Sequence, residues 1–304
     1  MVGVDHAARH SSDLPQSMSA IVIGASGQVG RNLLDALRVT GREVYGTSWR
    51  HPSPDLLTLD LRDAKAVEAC VRRLRVNVVY LSAALSNVDR CEAHPDESNA
   101  INVAPVKGLA SMGVRIVFFS SDYVFAGASG PYCESDEVQP LSVYGKHKVL
   151  AERELPDDAL VVRTTVVYGA DPQRMNFVCR LVDGLRASKP FHVPVDQVGS
   201  PTYASNLAQA VVYLEHHGAC GTYNVSGPTR VSRYEFAQEV ARVFRLDGNL
   251  VRPTTTAEIG QVAPRPLNAG LVSKKAQSLL PFALLDYRAG VRRFYEETVA
   301  ADGL

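Results

Sequence analysis

Three closely spaced glycines that directly follow a short apolar run constrain the fold of this chain more than any other feature. The residues from Ala20 to Gly24 have the composition of a buried β-strand, and Gly27 and Gly30 follow within the next six positions. From about residue 27 to residue 39, apolar residues recur at helical spacing. A buried strand that turns through glycines into a helix is typical of the first unit of a doubly wound sheet. We therefore predict an α/β fold that begins near residue 18.

Short β-branched runs and longer amphipathic stretches continue to alternate as far as Tyr168 and Gly169. This alternation predicts a Rossmann-type doubly wound parallel sheet with helices on both faces. The later predicted strands cover residues 43–47, 76–81, 115–120 and 159–165, and the predicted helices cover residues 27–39, 64–74, 100–112 and 141–155. Beyond Gly169 the alternation weakens, which indicates a smaller C-terminal capping region. Its predicted elements are helices at 176–185, 206–216 and 232–244 and one short strand at 221–225.

The glycine turn has the features of a site for a dinucleotide. Glycines allow a sharp turn and a close approach of the backbone to a pyrophosphate, and the helix N-terminus supplies free N–H groups and a partial positive charge. The position of the turn between the first strand and the first helix is the context that this mechanism requires. The predicted cofactor-binding residues of the turn are Gly24, Ser26, Gly27, Gln28, Val29 and Gly30.

The end of the second predicted strand bears on the choice between the two nicotinamide cofactors. An acid at this position would bind the ribose 2′-hydroxyl of NAD, whereas an arginine would pair with the 2′-phosphate of NADP. The segment from Gly46 to Arg50 contains no acid and offers Ser48 and Arg50. The sequence therefore favours NADP, bound as NADPH, over NAD.

Pattern and cofactor site together divide the chain into three predicted segments. Residues 1–17 are polar and lack the apolar stretch of a secretory signal, and we interpret them as a disordered leader. Residues 18–170 would form an NAD(P)-binding Rossmann domain. Residues 171–304 would form mainly the substrate-binding region, with some elements returning to the Rossmann domain.

Composition excludes several other classes of protein. The 304 residues contain 32 Lys and Arg against 32 Asp and Glu, so there is no excess positive charge for binding the backbone of a nucleic acid. No run approaches the roughly 20 apolar residues of a membrane span, and we predict a cytoplasmic protein. The five cysteines are scattered without Cys-x-x-Cys or Cys/His spacing, which predicts neither a disulfide framework nor a metal site.

A tyrosine and a lysine four positions apart on a predicted helix suggest acid–base chemistry. Tyr144 and Lys148 would share one helix face, where the ammonium group stabilises a phenolate. Ser121 ends a predicted strand, at the sheet edge where a doubly wound fold binds its ligands. The expected reaction is proton transfer from Tyr144 to a carbonyl oxygen that also hydrogen-bonds Ser121, while hydride arrives at the carbon.

Four motifs together resemble those of an extended short-chain dehydrogenase/reductase. They are Gly24-Ala-Ser-Gly27-Gln-Val-Gly30, Ser120-Ser-Asp-Tyr-Val-Phe125, Tyr144-Gly-Lys-His-Lys148 and Arg163-Thr-Thr-Val-Val-Tyr-Gly169. Within that superfamily the chain is most similar to the dTDP-4-dehydrorhamnose reductase family, also through Asp196-Gln-Val-Gly-Ser-Pro-Thr202 and Arg265-Pro-Leu-Asn268. The resemblance implies NADPH-dependent reduction of the 4-keto group of a nucleotide-diphosphate deoxysugar.

The resemblance also implies roles for individual residues. Tyr144 would be the proton donor, Lys148 would hold the nicotinamide ribose, and Ser121 would stand where the family usually has Thr. The further residues implied at the cofactor are Asp60 and Leu61 beside the adenine and Ala83, Ala84 and Ser86 beside the ribose. Those implied at the substrate are Asp122, Val166, Asn176 and Arg265, the last as a clamp on the diphosphate.

Two other functions stay open at the level of sequence. The chain also resembles the beta subunit of methionine adenosyltransferase, a cofactor-binding regulatory protein, in Ser120-Ser-Asp-Tyr-Val-Phe125 and in the Arg265-Pro-Leu-Asn-Ala segment. A third possible function is that of a sugar-nucleotide epimerase or dehydratase. The lack of an acid after the second strand and of a Glu beside Asp122 argues against it. Whether the chain forms a homodimer is also open.

Overall fold

A computed structural model describes residues 19–302 of the chain, so the predicted leader at 1–17 lies outside the described residues. Strands and helices alternate through the first half of this range. The strands are β1 (Ala20–Ile23), β2 (Val44–Ser48), β3 (Leu57–Thr58), β4 (Val78–Leu81), β5 (Arg115–Ser121), β6 (Leu160–Thr164), β7 (Val167–Tyr168), β8 (Phe191–Pro194), β9 (Val198–Gly199), β10 (Thr202–Tyr203), β11 (Gly221–Asn224), β12 (Val231–Ser232) and β13 (Val251–Thr254). The helices are α1 (Gln28–Arg38), α2 (Ala64–Leu74), α3 (Val88–Ala93), α4 (Pro95–Asn102), α5 (Ala104–Ala110), α6 (Val143–Arg153), α7 (Phe177–Arg186), α8 (Ala204–His216), α9 (Arg233–Val243), α10 (Thr256–Ile259), α11 (Lys274–Gln277) and α12 (Tyr287–Asp302).

The central element is a seven-stranded sheet in which every strand pair is parallel. The strand order is β11-β6-β5-β4-β1-β2-β3. The chain therefore reverses its direction of winding between β1 and β4, and all carboxyl ends lie at one edge. This arrangement confirms the predicted Rossmann-type fold. It also fixes the place of a ligand site, because doubly wound sheets bind ligands at the carboxyl ends beside the reversal point.

Apolar side chains cover both faces of this sheet. All four residues of β1 and of β4 are buried, as expected for central parallel strands. On one face α1 packs with Leu33 and Leu37 against the sheet and against α8. On the other face Val67 of α2 and Leu109 of α5 belong to a separate core. Two independent apolar layers thus hold the edge of the sheet rigid.

The helix predicted at 100–112 is wrong, because two helices occupy this region. Helix α4 ends at Asn102 and α5 begins at Ala104, with Pro105 in its first turn. Proline has no N–H group and its ring clashes with the preceding turn, so a helix cannot run through it undisturbed. The break matters for the site, because Asn102 at the end of α4 contacts a loop of the cleft.

Part of the chain beyond Gly169 belongs to the central sheet. Strand β11 pairs with β6 from Gly221 opposite Leu160 to Asn224 opposite Arg163. Helix α8 also packs on this sheet, and α7, α9 and α12 form a separate apolar cluster that includes Phe236. We call this second cluster and its loops the capping region. In the described residues, no helix combines the length and the apolar character that crossing a membrane requires.

Candidate active site

A cleft of about 690 Å³ opens at the carboxyl edge of the sheet, between the sheet and the capping region. It brings together nearly all the residues that the sequence indicates. The predicted residues that line it are Gly24, Ser26, Gly27, Gln28, Val29, Gly30, Arg50, Asp60, Leu61, Ala83, Ala84, Ser86, Ser121, Asp122, Tyr144, Lys148, Val166 and Asn176. Arg265 is the predicted residue that does not line it.

The glycine turn is packed so closely that side chains are excluded from it. Gly24 has a φ of +92°, and a Cβ atom there would lie 2.7 Å from the Ala83 backbone. A Cβ atom on Gly30 would lie 2.2 Å from the carbonyl oxygen of Gly24. Gly27 precedes α1 without a side-chain cap, which leaves N–H groups at the helix start free for a ligand. These features fit the pyrophosphate of a dinucleotide.

The residues after β2 form a basic end of the cleft. Arg50, His51 and Arg62 all line it. The Arg50 side chain is 53% exposed and lies 3.7 Å from Glu97, a carboxylate that binds Arg90 more closely at 2.7 Å. Arg50 is therefore held loosely enough to turn toward a phosphate group.

The predicted adenine pair is only partly free to bind. Arg62 donates to both carboxylate oxygens of Asp60, at 2.9 and 2.6 Å, and this hydrogen bonding lowers the pKa of the carboxyl group. Leu61 is 7% exposed and belongs mostly to the core beneath the sheet. An adenine ring here would contact the Asp60–Arg62 pair and the edge of Leu61.

The loop carrying Ala83, Ala84 and Ser86 is fixed by a residue that the sequence analysis missed. The side chain of buried Asn102 accepts a hydrogen bond from the Leu85 N–H at 2.9 Å and donates to the Leu85 carbonyl at 3.1 Å. It also donates to Ser98, whose hydroxyl group lies 2.8 Å from His147 on α6. Hydrogen bonds thus connect the cofactor loop to the helix that carries Tyr144.

Tyr144 and Lys148 are buried side by side on α6. Burial, and next the charge of Asp122, raise the pKa of the Tyr144 phenol well above its ordinary value, so it is protonated at neutral pH. The Lys148 ammonium donates to the Phe119 carbonyl at 2.8 Å and lies 5.7 Å from the centre of the Tyr144 ring. Burial lowers the pKa of Lys148 to about 8. A protonated phenol beside a buried amine is thus in place for acid catalysis.

Ser121 is oriented by a buried carboxylate. Its hydroxyl group donates to Asp122 at 3.1 Å and accepts from the Tyr123 N–H at 3.2 Å. Asp122 also accepts a hydrogen bond of 2.6 Å from Thr165, a second contact that the sequence analysis missed. Burial raises the pKa of Asp122, although both hydroxyl groups oppose that shift. Ser121 must therefore rotate away from Asp122 before it donates to a carbonyl oxygen.

The capping side of the cleft is assembled from several distant segments. Val166 has a φ of +44°, which a β-branched residue rarely adopts, so its backbone is strained beside the cleft. The side chain of Asn176 caps α7 by accepting from the Cys179 N–H at 3.0 Å. Gln197 and Arg233 also line the cleft; Gln197 lies in the Asp196–Thr202 motif of the family resemblance, whereas nothing in the local sequence singled out Arg233.

Arg265 is turned away from the cleft in this structure. Its guanidinium donates to Asp89 of α3 at 2.8 Å, and the side chain is 7% exposed. The same carboxylate accepts from the Ala263 N–H at 2.9 Å, so the segment around Arg265 is tied to α3. Within residues 19–302, no group of three or more His, Cys, Asp or Glu side chains is arranged to hold a metal ion.

Fold and cleft together define a dinucleotide-binding protein of the Rossmann class. The sequence matches the model of the RmlD substrate binding domain family over residues 18–300, and the chain belongs to this family. This match confirms the family resemblance predicted from the motifs.

The relatives of the chain include both reductases and a subunit of methionine adenosyltransferase. It is 33% identical over 256 residues to dTDP-4-keto-6-deoxy-D-glucose reductase of Streptomyces niveus, which covers 81% of this chain and 86% of that protein. It is 30% identical over 288 residues to methionine adenosyltransferase 2 subunit beta of Xenopus tropicalis, which covers 90% of this chain and 86% of that protein. Among solved structures, dTDP-4-dehydrorhamnose reductase from Bacillus anthracis in complex with NADP has a TM-score of 0.84 and 27% identity, covering 93% of this chain and all of that one.

Proposed function

We propose that this protein uses NADPH to reduce the 4-keto group of a nucleotide-diphosphate deoxysugar. The observation that carries the proposal is the placement of Tyr144, Lys148 and Ser121 in the cleft that the glycine turn also lines. Relatives named as reductases of dTDP-linked keto sugars support the same reaction class. When bound, NADPH would supply the hydride for the carbonyl carbon.

Tyr144 acts as the acid in this reaction. Its raised pKa keeps the phenol protonated until a carbonyl oxygen gains negative charge and takes the proton. Transfer leaves a phenolate in a buried site, which is unfavourable without a nearby cation. The Lys148 ammonium beside the ring supplies that cation, and its hydrogen bond to the Phe119 carbonyl keeps it in place.

Ser121 and Asp122 control the orientation of the carbonyl group. After rotating, the Ser121 hydroxyl can donate to the same oxygen that Tyr144 protonates. Asp122 keeps its hydrogen bond to Thr165 meanwhile, so the buried carboxyl group does not lose all its partners. The pair therefore favours one substrate orientation without taking part in the proton transfer.

The basic end of the cleft supports NADPH as the reductant. A 2′-phosphate there would lie near Arg50 and Arg62, whose positive charges a 2′-hydroxyl would not require. The relative from Bacillus anthracis was solved with NADP, which agrees with this choice.

A regulatory function is the second candidate, because methionine adenosyltransferase 2 subunit beta is a relative over most of both chains. Such a protein would bind the cofactor and a partner enzyme without turning over a sugar. The two functions differ in whether the Tyr144 proton is consumed, and a kinetic assay separates them.

The deciding experiment measures NADPH oxidation with a panel of dTDP- and UDP-linked 4-keto-6-deoxysugars. We expect turnover on at least one of them by the native chain and a large loss in Tyr144→Phe. Undiminished turnover in the variant would remove Tyr144 as the acid. No turnover on any sugar, together with tight NADPH binding, would favour the regulatory candidate.

A further inference from the structure

Arg233 is a partly buried arginine at the wall of the cleft, and it differs from three well-buried arginines of the fold in having no acidic partner. The side chains of Arg42, Arg163 and Arg265 are at most 8% exposed, and each pairs with a carboxylate at 2.6 to 2.8 Å. The guanidinium of Arg233 has neither an ion pair nor a hydrogen bond among the residues that the structure describes, and only more distant charges act on it. A partly buried arginine that lines a cleft without an acidic partner is available to bind an anionic ligand.

The position of Arg233 is fixed although its charge is uncompensated. Its backbone N–H donates to the Gln197 carbonyl at 2.8 Å, and the preceding Ser232 caps α9. Its guanidinium lies 4.8 Å from the centre of the Phe177 ring, which in turn packs against Phe236. The side chain is therefore preorganised at the wall of the cleft, and a ligand does not have to order it on binding.

The charges around Arg233 make this part of the cleft attractive to an anion. Burial lowers the pKa of Arg233, while Tyr123 and Asp122 act in the opposite direction. Arg265 is a second positive charge that acts on Tyr123, although its ion pair with Asp89 neutralises part of that charge. A bound anion would reduce the repulsion between the two guanidinium groups and compensate the charge of Arg233.

We propose that Arg233 binds the sugar-proximal phosphate of the nucleotide-diphosphate substrate. This inference rests on the proposed function, which puts the reacting carbonyl at Ser121 and Tyr144. Arg233 influences Asp122 and Tyr123, the two residues directly after Ser121. In a nucleotide sugar, one pyranose ring and one oxygen separate C4 from that phosphate. A cation near these residues can therefore reach the phosphate when C4 lies at Ser121 and Tyr144. The cofactor phosphates belong at the glycine turn, on the opposite wall.

The test compares nucleoside diphosphates with monophosphates in the full chain saturated with NADP. Calorimetric titration of dTDP, UDP, dTMP and UMP gives the affinity for each nucleotide in the native protein, in Arg233→Gln and in Arg233→Lys. Arg242→Gln is the matched control, because it makes the same change on the same helix at an exposed residue paired with Glu239.

We expect the native protein to prefer the diphosphate of the base that it binds. Arg233→Gln should lose at least tenfold in affinity for that diphosphate, with little change for the monophosphate. Arg233→Lys should retain part of the preference, and Arg242→Gln all of it. The unfolding temperature of ligand-free Arg233→Gln should fall little, because the substitution removes no ion pair or hydrogen bond within the described residues and only the contact with the Phe177 ring.

Three outcomes would overturn the proposal. The first is a diphosphate affinity in Arg233→Gln within twofold of the native value. The second is an equal affinity loss for the monophosphate, which would place another part of the nucleotide at Arg233. The third is a native chain that binds neither diphosphate. Failure of the proposed function is distinguishable, since it appears as absent sugar reduction while Arg233→Gln still weakens dTDP or UDP binding.

Discussion

The two walls of the cleft are built in different ways. On the sheet side, the glycine turn places its ligand contacts within seven consecutive residues, from Gly24 to Gly30. On the capping side, Val166, Gln197 and Arg233 reach the cleft from three separate segments. A wall made from one turn depends on local backbone geometry, whereas a wall made from several segments depends on the packing between them. Local changes are therefore expected to alter cofactor binding, whereas changes far away in sequence can alter substrate binding.

The largest effect is expected where the two walls meet, at Tyr144. Replacement by Phe removes the proton and keeps the buried ring, so kcat should fall by about 10² to 10⁴-fold. The Kd for NADPH, measured by fluorescence titration, should stay within about twofold because the cofactor wall is intact. Tyr123→Phe is the control, since it removes the hydroxyl group of the neighbouring ring 5.6 Å away. Equal losses in both variants would contradict the assignment of the acid.

The next effect concerns pH and tests Lys148. Its pKa of about 8 lies below the ordinary value, so the ammonium is mostly charged at pH 7 and loses its proton as the pH rises through about 8. The rate should therefore decline above that pH, because the phenolate is no longer stabilised. Lys148→Arg should shift the decline to higher pH, since a guanidinium stays charged. Lys148→Met should lower the rate at every pH, and a decline near pH 8 that persists in this variant would assign it to another group.

A smaller effect is expected at the basic end of the cofactor wall. Arg50→Ala should raise the KM for NADPH by about tenfold or more, because one charge-assisted hydrogen bond to the 2′-phosphate is lost. The KM for NADH should not change. Arg72→Ala, an exposed arginine of α2 that pairs with Glu68, is the control. A preference for NADH in the native chain would show that the cofactor is NAD.

The smallest effect is expected from replacing two asparagines, one that fixes the cofactor loop and one that does not line the cleft. Asn102 binds both backbone groups of Leu85 beside the cofactor, and Asn206 accepts from the Leu285 N–H in the C-terminal part at 2.8 Å. Replacement of either by Ala should lower the free energy of unfolding by about 1–3 kcal/mol, measured by urea denaturation. Only Asn102→Ala should also raise the KM for NADPH, by a few-fold. Equal KM effects would mean that the loop does not need this clamp.

The fold was largely predictable because its signals are local. The bounds of β1, β2, β5 and β6 differ from the predicted ones by one residue or so at each end, since a buried parallel strand is a short apolar run. The prediction of one helix at 100–112 missed the split between α4 and α5, although Pro105 marks it. The two-residue strands of the capping region were not, because pairs such as β9 with β12 exist only through their partners.

The residues of the candidate site also differ in whether a local sequence signal predicts them. Gly24, Tyr144 and Lys148 were found from spacing alone, because each lies within one turn or one helix of the residues it acts with. The motif around Arg265 led to its prediction as the diphosphate clamp, whereas Arg233 at the start of α9 has no local signal, and only Arg233 lines the cleft. The partner that turns Arg265 away is Asp89, 176 positions earlier in the chain.

Local sequence signals account for the α/β architecture, the dinucleotide turn and the tyrosine–lysine pair. Each of these follows from backbone sterics, side-chain periodicity or spacing on one helix, which act over a few residues. Only the tertiary structure decided which cations face the cleft, how Ser121 is oriented and which residue fixes the cofactor loop. Burial and the distance between charges control these properties, and both depend on segments that packing brings together from opposite ends of the chain.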